Sequence, residues 1–277
     1  MKFENIRVMN FENALRGMRN PKESFNKIDS KFGFEFDDAD SLSAKLDSYG
    51  KWYVLHKNNG IVEYAAIGPK DMELAQRLIK AGSEHRKFMR QIFVSVDITA
   101  PLYWWKEFDT YKVGTVANST STMHTITNHP ITLDRFEISD FINLPFPEVR
   151  QRQDAKSFAD PDFVQMHLIP YLEYLREEYL WVDENEEDEA RKEALKEIIW
   201  KELIRWLPEG WLQTRTVTMN YENLLAMCSK GQRRFHKLSE WSSKNRSDEY
   251  DSFIKFARSL PYAQEFIFID EVTENTK

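Results

Sequence analysis

The stretch LPEGWLQTRTVTMNYENLL, residues 207–225, lies between two helical patterns and carries Leu207-Pro208, Thr214-Arg215, Asn220 and Leu224. On its N-terminal side Leu195, Ile198, Ile199, Leu203 and Trp206 recur at helical spacing and predict one buried stripe. On its C-terminal side a helix is expected around Asn220 to Lys230, and another around Asp248 to Arg258. Further upstream, Val164, Leu168, Leu172 and Leu175 share one face of a helical pattern over Asp162 to Trp181, in which Pro170 should introduce a kink. The acidic run Glu184 to Glu189 is expected to open the helix that follows, where negative charge suits the positive end of the dipole.

The first half reads differently. Ile6, Val8 and Phe11 suggest a short strand, and Phe11 to Met18 a short helix stopped by Asn20-Pro21. Trp52 to His56 and Ile61 to Ile67 flank Asn58-Asn59-Gly60, which predicts a hairpin. Asp71 is placed to cap the next helix, which carries Leu74, Ala75, Leu78 and Ile79 on one face and ends at Gly82. Gln91 to Ile98 is rich in β-branched residues and predicts a buried strand. Beyond Pro101, Tyr103-Trp104-Trp105 leads into a helix through Lys112. Thr115 to Thr127 holds seven Ser or Thr residues and one Asn without a period, the composition of a loop whose hydroxyls bind a ligand or one another. Strands in the first half and helices in the second point to an α+β domain.

The bulk numbers narrow the function. A chain of 277 residues, 42% apolar and 14% aromatic, can bury a sizeable core. Its net charge of -7 argues against general nucleic-acid binding. The absence of a long apolar run argues against a membrane span, and Met1 to Asn5 lacks a signal-peptide core, so a cytoplasmic protein is expected. The one cysteine, Cys228, excludes an intrachain disulfide and a cysteine-based zinc site; inside a helix it reads as a small apolar residue rather than a nucleophile. There is no glycine-rich phosphate loop, dinucleotide fingerprint, His-Glu-x-x-His or nucleophile elbow. His56, His129 and His167 read as structural or surface residues, and no metal site is expected.

Taken together, the 207–225 run and the segment Ile98 to His124 resemble the flavin-dependent thymidylate synthases, over roughly Lys70 to Phe266. That family has a strand ending in Ala-Pro, a helix and an Arg-His-Arg motif, followed by Ser, Asn-Glu, Ser and Arg-Tyr. Here Ala100-Pro101 and Lys106-Glu107-Phe108 are present, and the triplet falls on Thr110-Tyr111-Lys112 or, shifted by one, on Tyr111-Lys112-Val113. The shifted register aligns Asn118 and Ser121 with the family's Asn and Ser. Downstream, Leu207-Pro208, Thr214-Arg215, Asn220 and Leu224 fall at family spacing without a gap, and Arg233-Arg234 precedes His236 and Glu240 where the family has an Arg before a His-x-x-x-Glu run. Arg19 and Ser24 lie near the family's Arg-x-Ser segment.

What the resemblance implies is specific. The fold would be an antiparallel sheet packed with long helices: one domain over 1–277, with residues 1–68 as a strand-and-hairpin arm and 69–277 as the core. The protein would methylate dUMP to dTMP with methylene-tetrahydrofolate as carbon donor, bound FAD, and NADPH as hydride source. It would assemble as a homotetramer. FAD would be held by Lys112, Asn118, Ser121 and Asn220, and the nucleotide by Tyr111, Ser119 and Arg234. Arg233 or Arg234 would polarise the pyrimidine; the alternative for this pair is a solvated turn. Tyr111-Lys112 reads equally as a polar pair at the site or an exposed helix face, and Trp104-Trp105 as core or as a ring-stacking surface.

The chain also departs from the family. Guanidinium forks bind phosphates through paired charge-assisted hydrogen bonds. Both arginines of the triplet are absent, and Glu222 occupies a position where the family has a flavin-contacting arginine. Those replacements should weaken anion binding by several kcal/mol. They also keep open a non-catalytic relative binding a nucleotide or a protein partner, or an enzyme acting on another pyrimidine nucleotide.

Overall fold

The computed structural model describes residues 1–138, 163–244 and 250–274. In chain order its first elements are strand β1 (Lys2–Met9), helix α1 (Phe11–Gly17), β2 (Lys31–Phe36), α2 (Ala39–Leu46), β3 (Tyr53–Asn58), β4 (Ile61–Ala66) and α3 (Pro69–Lys80). Then come β5 (Phe93–Pro101), α4 (Leu102–Phe108), β6 (Val116–Ser119), α5 (Thr122–Thr125), α6 (Ile169–Asn185) and α7 (Glu189–Arg205). The last are β7 (Leu212–Asn220), α8 (Tyr221–Met227), α9 (Ser239–Ser242), α10 (Phe253–Ser259), α11 (Ala263–Phe266) and α12 (Ile269–Glu274). The strands form a four-stranded sheet in the order β1-β5-β7-β6 and a three-stranded sheet in the order β2-β4-β3. Both pairs of the smaller sheet are antiparallel. The architecture is α+β. No helix among the described residues is long and apolar enough to cross a membrane.

Two compact units emerge. One comprises residues 1–98, 109–118 and 215–277, the other 99–108 and 119–214. In the first, the hairpin β3–β4 turns at Asn59 and Gly60, both at positive φ (48° and 75°), as an Asn-Gly turn requires. Helix α2 covers one face of its sheet, where Leu42 and Leu46 pack on Val62, Tyr64 and Ala66. Tyr262 anchors this sheet to the C-terminal helices: its hydroxyl accepts from Ile67 N at 2.8 Å and lies 3.1 Å from Lys51 O. Phe11 packs tilted and Phe266 stacked on the Tyr262 ring, and Tyr221 meets Phe11 and Phe266 edge-on.

Asp71 departs from its expected capping role. Helix α3 has Gly68 at its N-cap, and its first N–H groups are satisfied by a distant side chain: Asp29 accepts from Lys70 N at 2.8 Å and from Asp71 N at 3.0 Å. The approach is so close that a Cβ on Gly68 would meet Asp29 O at 2.3 Å, so only glycine fits. Asp71 itself is buried. It accepts from Arg19 Nε at 2.9 Å and Nη2 at 2.6 Å, and from Asp29 N, Ser30 N and Ser30 Oγ. Arg19, which the resemblance set near a ligand-facing segment, is therefore committed to a buried ion pair.

In the second unit, Leu172, Leu175, Leu203, Phe136 and Trp211 form the core. Trp104 and Trp105 are buried and pack edge-on at 4.9 Å, the core reading of that pair. Pro170 lies directly behind a π-helical turn over Val164–Leu168, so the helical run is irregular at the proline, where an i→i−4 donor is missing. Asp188 caps α7 by accepting from Ala190 N and Arg191 N. The stripe expected along α7 is narrower than its spacing suggested: Leu203 is buried, whereas Ile198 and Trp206 are 65% and 52% exposed. Asp162 and Asp248, the expected starts of two helices, lie outside the described residues.

Asp71→Asn keeps the shape of the carboxylate but strands the Arg19 charge in the interior. It should lower the unfolding free energy by about 3–5 kcal/mol, measured by urea denaturation, whereas an exposed Asp40→Asn control should shift it little.

Candidate functional site

In the first unit the site residues converge on the junction between β7 and α8. Asn220 ends the strand and caps the helix: its Oδ1 accepts from Asn223 N at 3.0 Å, and its N–H donates to Asn223 Oδ1 at 3.1 Å. Asn223 Nδ2 then donates to Val113 O at 2.6 Å, which docks the 111–114 loop on the helix start. Gly114 makes this fit possible; it has φ +79°, and a Cβ there would lie 2.9 Å from Asn220 Nδ2. Asn220 is buried and spends its carbonyl oxygen on the backbone, so its side chain builds the site. Lys112 and Asn118 are exposed.

Arg233 stands beside Tyr111. Its Nε donates to the Tyr111 hydroxyl at 3.0 Å, and its guanidinium lies over the Tyr111 ring at 5.5 Å and the Trp241 ring at 4.9 Å. Its Nη1 is 2.9 Å from His236 Nε2, while His236 Nδ1 accepts from Leu238 N at 3.2 Å. Tyr111 OH in turn donates to Gln232 Oε1 at 3.3 Å. Arg234 is placed quite differently: it is buried, donates to Cys228 O at 2.7 Å, and clamps Asp270 with two bonds of 2.8 and 2.9 Å. An anion reaching its fork would have to displace that carboxylate. Of the two arginines, Arg233 is the half-buried one held against aromatic rings. Cys228 is buried and its thiol is pushed up to about 12 by desolvation, which makes it inert as a nucleophile.

Glu222, expected to repel anions, is matched by two arginines that sequence reading passed over. Arg86 Nε donates to it at 3.0 Å and Arg90 Nε donates to its other oxygen. Burial alone would raise the carboxyl, but the hydrogen bonds and charges of Arg90 and Arg86 outweigh it and hold the group below the ordinary carboxylate range. Two guanidiniums against one carboxylate leave a net positive charge on this cluster. Arg215, from the 207–225 run, donates to Asp109 at 2.8 Å.

In the second unit the threonine-rich stretch is not a structureless loop. It forms β6, whose continuation pairs Thr120 N with Thr214 O at 2.9 Å, and then the short helix α5. Thr120 and Thr122 line a cavity of about 340 Å³, with Thr125, His129, Arg135 and Gln213 among the other polar walls. Ser119 and Ser121, the positions the resemblance selected, are not among its lining residues. Gln213 Nε2 donates to Thr120 O at 3.1 Å, and Trp105 Nε1 donates to Gln213 O at 3.0 Å, which fixes the wall. Arg135 and His129 carried no motif, and only their folding onto Trp211 and Leu212 brings them to the cavity. Among the described residues no group of three or more His, Cys, Asp and Glu side chains gathers as a metal site.

The chain matches no protein-family model and no curated protein. Among solved structures it is similar to thymidylate synthase X (ThyX) from Helicobacter pylori with FAD and dUMP, at 15% identity, 98% coverage of each chain and a TM-score of 0.50. The fold is ThyX-like. Two further structures are a flavin-dependent thymidylate synthase ThyX from Helicobacter pylori complexed with FAD and dUMP, and a UMP/dUMP methylase from Streptomyces cacaoi bound with 5-Br dUMP. The first has 16% identity and a TM-score of 0.44, over 88% of this chain and 99% of that one. The second has 14% identity and a TM-score of 0.36, over 90% and 89%.

The depressed folded-state pKa of Glu222 means that the carboxylate stabilises the fold above its unfolded value, about 4.3, and that this contribution fades as pH falls through the folded value. Thermal melts of the unaltered protein and Glu222→Gln should therefore differ at neutral pH, with the variant less stable. The gap should close as the solution is made acidic enough to protonate the folded-state carboxyl.

Proposed function

We propose that this chain binds a flavin and a pyrimidine mononucleotide and, in the ThyX manner, methylates dUMP to dTMP. The observation that carries the reading is the threonine-walled cavity. Its volume of about 340 Å³ lies in the range of roughly 300–1,000 Å³ that small ligands occupy. Its walls combine hydroxyl donors and acceptors with one guanidinium, the chemistry of a sugar phosphate. Arg135 would take the phosphate through paired charge-assisted bonds, with Thr120, Thr122 and Thr125 serving the remaining oxygens. Gln213, whose amide is oriented by its bond to Thr120 O, carries the acceptor and donor pattern that a pyrimidine edge requires.

The donor set of the first unit fits a flavin dinucleotide. The Arg86–Arg90–Glu222 cluster is net positive and Lys112 is exposed, so cations are available for a pyrophosphate despite the missing arginine triplet. Tyr111, half-buried beside Arg233, supplies aromatic surface. When bound, the flavin would supply hydride chemistry, with NADPH as its reductant and methylene-tetrahydrofolate as carbon source. Arg233, held in place by Tyr111 and His236, would provide a fixed positive charge in that flavin site. Asn118, Ser119 and Ser121 stay in this proposal as backbone neighbours of the walls rather than as principal ligands. A homotetramer working in the cytoplasm completes the reading, as one domain over 1–277.

A second reading, nucleotide binding without methyl transfer, is favoured by one observation: the Arg234 fork is already closed on Asp270. The two separate in one experiment. Purified protein is titrated with FAD and followed by absorbance and gel filtration, and with dUMP by calorimetry; dTMP formation is then assayed with both co-substrates. Retained flavin, dUMP binding and product formation are expected. Binding without product supports the second reading, and no binding of either ligand overturns both. Arg135→Ala should weaken dUMP binding about ten- to a hundredfold, the loss of one charge-assisted phosphate contact.

A further inference from the structure

Strand β2 has two unlike faces. Lys31, Gly33 and Glu35 alternate on the face that α2 covers, where Glu35 is bridged to Lys45 and a Cβ on Gly33 would lie 3.1 Å from the Tyr64 hydroxyl. Phe32, Phe34 and Phe36 alternate on the other face, and there Phe34 and Phe36 are 70% and 75% exposed. Phe36 sits opposite Ile61, itself 45% exposed, which extends the apolar ladder. A monomer seldom leaves two phenylalanines in water on adjacent same-face positions.

The strand is also an edge. Among the described residues, in the order β2-β4-β3, it has a strand partner on one side only. Asp37 N donates to Gly60 O at 2.8 Å, continuing the β2–β4 ladder. In an antiparallel ladder the bonded pairs alternate, so Glu35, Gly33 and Lys31 bond to β4, and the N–H groups of Phe32, Phe34 and Phe36 point to the open edge. Natural edges are usually blunted by proline, inward charges or bulges. The sequence Lys31-Phe32-Gly33-Phe34-Glu35-Phe36-Asp37 carries none of these on its phenylalanine face.

We propose that β2 pairs antiparallel with β2 of a second copy of this chain about a two-fold axis at Phe34, joining two three-stranded sheets into one of six strands. The strand is complementary to itself in this register. Phe34 faces Phe34 of the second copy, with each N–H donating to the other's C=O, and Phe32 faces Phe36. Lys31 falls opposite Asp37 at both ends, so the arrangement sets opposite charges across the strands. A two-fold interface requires this reciprocity, in which each residue meets its partner twice. Registry with an unrelated peptide would gain the backbone bonds but neither the paired phenylalanines nor the two charge pairs. This interface stands apart from the ligand reading and survives if that reading fails.

Light scattering of the full-length protein across a concentration series tests it. The unaltered chain should associate through this edge, and Phe34→Lys, which sets two ammonium groups face to face, should remove one step of assembly. Lys31→Asp and Asp37→Lys should each weaken the association roughly tenfold by placing like charges opposite one another, and the double exchange should restore it. Circular dichroism would establish that each variant is folded. A monomer at every concentration, an association indifferent to Phe34→Lys, or a double exchange that fails to rescue the single ones would overturn the proposal.

Discussion

The candidate site depends on the paired amides at the end of β7. Asn220 and Asn223 satisfy each other's backbone N–H groups, and Asn223 gives a side-chain amide N–H to Val113 O. That single bond at 2.6 Å fixes a segment from far upstream against the start of α8. Tyr111, two residues before the fixed carbonyl, is thereby held where Arg233 can bond its hydroxyl and cover its ring. Glycine at 114 is a condition of the arrangement, because a larger residue would clash with the Asn220 amide and would strain a backbone at positive φ. One strand-to-helix turn thus positions aromatic, cationic and polar groups on the same unit.

Electrostatics has been rearranged around that turn rather than removed. The absence of an Arg-His-Arg triplet and the acid at 222 look from the sequence like poor anion binding. In three dimensions the Glu222 carboxylate is absorbed by Arg86 and Arg90, which come from the segment between α3 and β5. Arg234 shows the opposite trade: a family-like position in the chain is occupied by a guanidinium that now serves the interior, tied to Asp270, Glu271 and Cys228 O. Chemistry that depends on charge can move between positions more easily than the fold that carries it, since a surface cation needs only reach while a buried one needs a built partner.

The α+β class was legible because periodicity and turn chemistry are local. The Asn58-Asn59-Gly60 hairpin and the helix after Asn220 follow from a few residues each. Strand β7 is faint in the sequence because Thr214, Thr216 and Thr218 alternate with only two apolar residues, Val217 and Met219; β2 and α2 are faint because Gly33 and a run of polar residues weaken their periods. In the threonine stretch Thr120, Thr122 and Thr125 line the cavity rather than Ser119 and Ser121, and that depends on where β6 ends and α5 begins. Arg135, Arg86 and Arg90 could not be found from the motifs: nothing in spacing says that a residue tens of positions away will meet Gln213 or Glu222. Asp71 was read as a cap by its place in the helix, but its burial with Arg19 is a tertiary fact.

The most direct measurement is a crystal structure of the protein grown with FAD and dUMP. The account predicts nucleotide density in the Thr120–Arg135 cavity, with the phosphate on the Arg135 guanidinium, and flavin density beside Tyr111, Arg233 and the Arg86–Arg90 pair. Ligand density that avoids both places, or a fully occupied crystal in which Arg135 and Arg233 touch nothing, would contradict it.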